Sequence, residues 1–208
     1  MIEQGTLLTY LAVLLGFVFI PGPAVLLTLA RASTGGTRVG LATGLGIAVG
    51  DLVHTAMAVI GISAVILASA TLFTLVKYAG AAYLVYLGIC AIRERAELAP
   101  PEAGGRLTPR AAFRQGLLVE VLNPKSALFF LAFLPQFVDP AGGIVWLQLS
   151  ILGVLFVAFG FFATAVTAVA AGGLGRWLRR HPAVMRWQGK VVGGIYCGLG
   201  LRLALPER

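Results

Sequence analysis

Long apolar runs separated by short polar gaps follow one another along the whole chain. A membrane-spanning helix needs about 20 mostly apolar residues. Six runs meet this requirement, at about 6–30, 40–68, 71–92, 113–138, 144–173 and 188–205. The second and fifth are longer than one crossing needs, which predicts a tilted helix or an extension at the membrane surface. The pattern therefore predicts an all-α membrane protein with six transmembrane helices.

A polar stretch rich in Pro, Gly and Arg, at about 93–112, divides the runs into two groups of three. We expect one transmembrane domain over 1–208, with a first half at about 1–92 and a second half at about 113–208. Because three is an odd number of crossings, a duplicated half would insert upside down. The pattern thus favours two inverted three-helix repeats, an arrangement that recurs in secondary transporters.

Composition agrees with a membrane location. Of the 208 residues, 59% are hydrophobic and 12% are charged, whereas about a quarter of the residues of a soluble domain are charged. The net charge of +8 would suit a nucleic-acid partner, but the basic residues lie in the gaps between apolar runs. That distribution is typical of membrane orientation, so we expect the lipid bilayer as a partner and no nucleic acid.

The basic residues also predict how the chain is oriented. Twelve of the 16 Lys and Arg residues lie in the gaps after the first, third and fifth runs or within three residues of them. Cytoplasmic loops of membrane proteins are enriched in these residues, so the three gaps should face the cytoplasm and both termini the outside. The start of the chain, Met1 to Gln4, lacks the basic segment of a signal peptide, and we expect the first run to be retained.

Two runs contain helix breakers. Pro21-Gly22-Pro23 interrupts the first run, and Asn123-Pro124-Lys125 lies in the fourth. Proline lacks an N–H and disrupts the preceding turn, and each unpaired backbone group in hydrocarbon costs several kcal/mol. We interpret both motifs as breaks in discontinuous helices, whose new N-termini carry partial positive charge and suit a carboxylate. A plain proline kink is the alternative.

Asp51 and His54 lie deep in the second run. At about 1.5 Å per residue, Asp51 is roughly 16 Å from the cytoplasmic end, near the middle of a hydrocarbon core about 30 Å thick. A charge there is costly and should face a partner or a wet cavity. The two residues share a helix face. Asp51 is the best candidate for a proton carrier; an internal ion pair, or a packing role for His54, is the alternative.

Lys125 and Glu120 are further ionisable residues inside a run. Lys125 is roughly 18 Å deep by the same rise, at the start of the second half-helix, where it could pair with Asp51 or bind a substrate carboxylate. Glu120 lies nearer the cytoplasmic surface, where it could counter Lys125 across the break or lie at the mouth of a wet cavity. An Asp–Lys pair between helices, with no ligand, is the alternative.

Other functional classes have weaker support. Cys90 and Cys197 lie in different apolar runs and predict neither a disulfide nor a metal site. A metal-cation exporter is an alternative function, but metal sites need clusters of His, Cys and carboxylates and the chain has two His. An intramembrane enzyme would need a nucleophile with a placed base, and no serine has such a paired motif. We expect no enzyme activity, no metal and no cofactor.

At these motifs the sequence resembles the LysE/RhtB family of bacterial amino-acid exporters. The resemblance runs in order through IPGPAVLLTLARASTGGTRVGLATGLGIAVGDLVH, VKYAGAAYLVYLGI and VLNPKSALFFLAFLPQF. It implies two inverted three-helix halves in the bacterial cytoplasmic (inner) membrane, a homodimer, and proton-driven export of small amino acids or their derivatives. The positions that match the family's motifs are Pro21, Gly22, Pro23, Asp51, Asn123, Pro124 and Lys125.

The resulting hypothesis is alternating access between the two halves. The substrate carboxylate would meet helix N-termini and Lys125, and its ammonium would meet Asp51 and carbonyl groups freed at the breaks. A proton arriving from outside would neutralise Asp51 and release the substrate outward. The substrate class stays open between neutral amino acids, such as threonine, homoserine or leucine, and basic ones, such as lysine.

Overall fold

The computed structural model describes residues 2–19, 22–68 and 107–180, with single residues and pairs between 75 and 93 and between 187 and 201. These parts are helical and contain no strand, which confirms the all-α prediction for them. The helices are α1 (Gln4–Phe19), α2 (Pro23–Gly35), α3 (Thr37–Ala68), α4 (Pro109–Val121), α5 (Pro124–Leu128) and α6 (Val145–Arg180). A π-helical turn (Phe129–Phe133) and a 3-10 turn (Leu134–Phe137) continue α5.

Among the described residues, two helices are long and apolar enough to cross a membrane, over Thr37–Gly61 in α3 and Val145–Ala171 in α6. Two bent pairs reach the same length if each pair is one crossing: α1 with α2, bent by 46°, and α4 with the segment Lys125–Phe137, bent by 53°. The runs predicted at 71–92 and 188–205 lie largely outside the described residues. Six spans and two inverted repeats therefore stay predictions.

Helix α4 begins slightly before the fourth apolar run, which was predicted at about 113–138. The helix begins at Pro109, because Thr108 caps it by accepting a hydrogen bond from the backbone N–H of Ala111 at 3.3 Å. Proline suits the first position of a helix, where no intrahelical partner exists for an N–H. The cap thus places the helix start in the polar stretch, ahead of the apolar run.

Helix α3 is the centre of the described bundle and packs on α2, α4 and α6. Its contact with α4 is close because both helices present glycine there. A β-carbon at Gly46 would collide with the carbonyl oxygen of Phe113, and one at Gly116 would collide with that of Thr43. Small residues allow membrane helices this approach. This close approach of the two backbones also brings the neighbouring side chains of α3 and α4 together.

Aromatic rings fill the space between the end of α1 and the segment after α5. The ring of Phe17 lies 4.5 Å from Phe129 and 5.6 Å from Phe156, and Phe129 lies 4.8 Å from Phe156, measured between centroids. Tilted and edge-to-face pairs at such distances are favourable beyond the area that they bury. This cluster holds the two bent segments against α6.

Candidate functional site

The first break separates α1 from α2 at the predicted motif. Gly22 is the N-cap of α2, in an extended conformation with φ −89° and ψ −171°, and Pro23 opens the helix. The first intrahelical hydrogen bond runs from the N–H of Leu26 to the carbonyl of Gly22, at 2.9 Å. The chain therefore leaves the helical conformation at Gly22. Pro21 lies outside the described residues.

The second break separates α4 from α5 and has a side-chain cap. The Oδ1 atom of Asn123 accepts a hydrogen bond from the backbone N–H of Lys125 at 3.0 Å, and Pro124 lies in the first turn. The N–H of Ala127 donates to the carbonyl of Asn123 at 3.0 Å. Asn and proline in this order are a strong helix start, so the local sequence accounts for the break.

A buried polar network surrounds Glu120, whose side chain is 2% exposed. Asn123 Nδ2 donates towards both carboxyl oxygens, at 3.2 and 3.4 Å, and the hydroxyl of Ser126 donates to Oε1. On the opposite side, His54 Nε2 lies 2.8 Å from the carbonyl oxygen of Glu120. Because that oxygen can only accept, the imidazole donates. The end of α4 is thus held through both the side chain and the main-chain carbonyl of Glu120.

Asp51 approaches this network from α3. Its side chain is 3% exposed, and Oδ1 has no hydrogen-bond partner among the described residues. A β-carbon at Gly160 would lie 3.5 Å from Oδ2, so a larger residue would narrow the space beside the carboxyl group. A buried carboxyl oxygen without a partner is costly, which marks Asp51 as a position where a ligand or a proton is needed.

The ammonium group of Lys125 lies between the two breaks. It stands 4.3 Å from the centroid of the Phe17 ring, near the end of α1. A β-carbon at Gly22 would be only 2.9 Å from Nζ, so the missing side chain makes room for the ammonium group. Glu120 provides an opposite charge nearby. The cation thus sits beside the start of α2 as well as beside the acidic network.

These groups share one cavity of about 50 Å³. That volume admits a few water molecules, since one water needs roughly 10–15 Å³. Its wall combines charges of both signs with apolar side chains, a combination that fits a zwitterion with an apolar substituent. It is lined by Phe17, Val18, Gly22, Pro23, Ala24, Val25, Ile47, Asp51, Glu120, Asn123, Lys125, Ser126, Phe156, Gly160 and Thr164.

The structure brings most of the predicted site residues together. Six of them line the cavity: Gly22, Pro23, Asp51, Glu120, Asn123 and Lys125. His54 is not among the lining residues; it is 2% exposed and stacks on Phe130, with ring centroids 5.8 Å apart. Its geometry is that of a support for α4.

Sequence reasoning missed other residues of the wall. The sequence shows no serine in a paired motif, yet the hydroxyl of Ser126 donates to Glu120. The spacing of three between Asn123 and Ser126 within one helical turn was the available signal. No sequence signal pointed to Phe156, Gly160 and Thr164 of α6, because nothing local distinguishes them from other apolar or small residues of that helix. Among the described residues, no group of three His, Cys, Asp or Glu could hold a metal ion.

Comparisons with known proteins agree along nearly the whole chain. Residues 15–207 match the family model described as LysE type translocator. An uncharacterized membrane protein of Vibrio cholerae is 35% identical over 96% of this chain and 97% of its own length. A leucine efflux protein of Enterobacter is 27% identical over 94% and 93%, and one of Klebsiella pneumoniae is 26% identical over 98% of both. No solved structure is significantly similar to the chain.

Proposed function

We propose that this chain, which belongs to the LysE type translocator family, exports a small amino acid across the bacterial cytoplasmic membrane. Translocators of this family are transporters and not enzymes. The observation that carries the proposal is the convergence of two helix breaks and charges of both signs on one cavity. The relatives named leucine efflux proteins favour a neutral amino acid with an apolar side chain.

The amino-acid backbone of the substrate fits the polar part of the cavity. Its carboxylate would lie at the start of α2, where the N–H groups of Ala24 and Val25 precede the first intrahelical bond. A helix N-terminus attracts negative charge, and the ammonium group of Lys125 adds a full positive charge beside it. The substrate ammonium would lie at Asp51.

The substrate side chain would lie on the apolar wall, against Phe17 and Phe156. Pockets for small organic ligands have volumes of about 300–1,000 Å³, far above the present cavity. Substrate entry therefore needs the helices to move apart. The bends at the two breaks are the places where such a movement requires the fewest broken backbone hydrogen bonds, which favours alternating access by rocking of two inverted halves.

Proton antiport would drive export. A proton that enters from the outside neutralises Asp51, weakens the contact with the substrate ammonium and releases the amino acid outward. In the reverse step, the carboxyl group loses its proton on the cytoplasmic side and binds the next substrate. Ionisable residues at this depth of a membrane helix commonly mark proton or substrate pathways.

Reconstituted proteoliposomes test the proposal. We expect vesicles loaded with radiolabelled leucine to lose the label faster when a pH gradient is imposed, and Asp51→Asn to abolish the acceleration. Asp139→Asn is the matched control, because this acid lies outside the cavity and its Oδ1 accepts a hydrogen bond from the N–H of Ala141 at 2.9 Å. Full gradient-driven efflux by Asp51→Asn would disprove the proton role. Absence of efflux for every amino acid tested would disprove amino-acid export.

A further inference from the structure

Two acidic side chains, from different helices, meet in the cavity. Asp51 belongs to α3 and Glu120 to α4, and they are 3% and 2% exposed. The helices touch at this level: a β-carbon at Gly50 would lie 2.6 Å from Cβ of Glu120. Both carboxyl groups line the same cavity, close enough to interact directly. A hydrogen bond between two carboxyl groups requires that one of them carries a proton.

The charges that face this pair do not balance two carboxylates. From α5, Lys125 contributes one ammonium group. From α3, His54 uses Nε2 for the carbonyl of Glu120, and from α1 the hydroxyl of Tyr10 donates to the carbonyl of Leu152 at 2.7 Å. The described parts of α2 and α6 add no charged side chain to the wall. Two adjacent carboxylates beside one cation would leave a net negative charge in a low-dielectric site, which is unfavourable.

The surroundings of the two acids differ in a way that assigns the proton. Glu120 accepts hydrogen bonds from Asn123 and Ser126, which stabilise a carboxylate. Asp51 has no such donor at Oδ1 among the described residues. The neutral acid is therefore favoured at Asp51, with its O–H directed at Glu120.

We propose that Asp51 and Glu120 form a single proton site that holds one shared proton and exchanges it for one substrate ammonium group. The inference rests on the proposed function for its substrate. When the ammonium enters from the cytoplasm, the shared proton leaves to the cytoplasm and both carboxylates pair with the ammonium. On the outer side, one proton returns to the pair and the amino acid leaves. One proton thus moves inward for each amino acid that moves outward.

Infrared spectroscopy of the purified protein tests the shared proton without any substrate. We expect wild-type protein at neutral pH to show the C=O stretching band of one protonated carboxyl group. Glu120→Gln and Asp51→Asn should each lack it, because the remaining acid pairs with Lys125 as a carboxylate. Asp139→Asn should keep the band. A band that persists in Glu120→Gln, or that is absent from wild type, would overturn the proposal.

Titration with leucine in weakly buffered detergent solution tests the exchange. We expect wild type to release one proton for each leucine bound and both single variants to release none, and Glu120→Gln to keep binding through Asp51. Release of two protons, or undiminished release by either variant, would overturn the exchange. If Glu120→Gln does not fold, Asp51→Asn still tests the exchange, because proton release that persists without Asp51 would overturn it. Failure of wild type to bind any amino acid would instead contradict the proposed function, while the infrared result on the pair would stand.

Discussion

The break before α2 and the break before α5 both begin a helix with proline, but only the second has a side-chain cap. Asn123 accepts the N–H of Lys125 and also donates to Glu120, so the second break satisfies its own polar groups. The first break has Gly22 at the corresponding position, which offers no side chain. The ammonium group of Lys125, from α5, lies beside Gly22, but it can only donate hydrogen bonds and so does not cap the N–H groups at the start of α2.

This difference indicates that the two breaks have different roles. The N–H groups of a helix start need partners, and in hydrocarbon water is not available to supply them. The first break is therefore suited to receive a carboxylate from a ligand. The second break has its own side-chain hydrogen bonds, and Lys125 at this break places a charge on the cavity. Substitutions at the two breaks should have different consequences, and three of them test the comparison.

The largest effect is expected from Lys125→Met. The variant loses the cation that serves the first break, and a hydrogen bond to a charged group contributes about 1.5–3 kcal/mol. The rate of leucine efflux at low substrate concentration should fall by about 10- to 100-fold. Lys190→Met is the control, since this lysine is exposed and its Nζ lies 5.3 Å from the Trp187 ring. Equal efflux by the two variants would show that Lys125 has no role in binding the substrate.

An intermediate effect, on stability, is expected from Asn123→Ala. The loss of a helix cap costs about 0.5–2 kcal/mol, and the loss of a donor to buried Glu120 adds to it. The apparent melting temperature in detergent should fall clearly. Thr108→Ala is the matched control, because it removes the cap of α4 but no bond to Glu120. If Thr108→Ala lowers the melting temperature as much, the hydrogen bond from Asn123 to Glu120 adds no stability beyond that of a helix cap.

The smallest effect is expected from Gly22→Ala. The new methyl group would lie 2.9 Å from Lys125 Nζ, and this flexible side-chain end can move away. We expect about a fivefold weaker apparent affinity for leucine, from roughly 1 kcal/mol of lost interaction, with little change in melting temperature. Gly16→Ala is the control, since a β-carbon there has no atom within 4 Å.

A double variant, Gly22→Ala with Lys125→Met, then tests the contact itself. Residues that act through one interaction give non-additive effects. The glycine substitution should therefore have almost no further effect once the ammonium group is absent. Additive losses would mean that Gly22 and Lys125 serve the substrate independently.

The residues that sequence reasoning found share one property, a high cost in a membrane. Asp51 and Lys125 stand out because burial of a charge is expensive, and Pro23 and Pro124 because they interrupt backbone hydrogen bonds. The reasoning placed Glu120 nearer the surface and left His54 open. The structure places Glu120 on the same cavity as Asp51. His54 is not among the lining residues and contacts the main-chain carbonyl of Glu120. Distance along a straight helix does not account for a bend of 53° between α4 and its continuation.

The sequence by itself determined the apolar helices, the positions of both breaks and the presence of ionisable groups between them. Hydropathy, the geometry of proline and the conformational freedom of glycine are local properties, so they can be read along the chain. Only the tertiary structure decided which groups meet. Three features depend on how the helices pack: the position of Asp51 and Glu120 on one cavity, the approach of Lys125 to Gly22, and the wall formed by Phe156 and Gly160. Such contacts join residues far apart in the chain, and their geometry follows from the fit of whole helix surfaces.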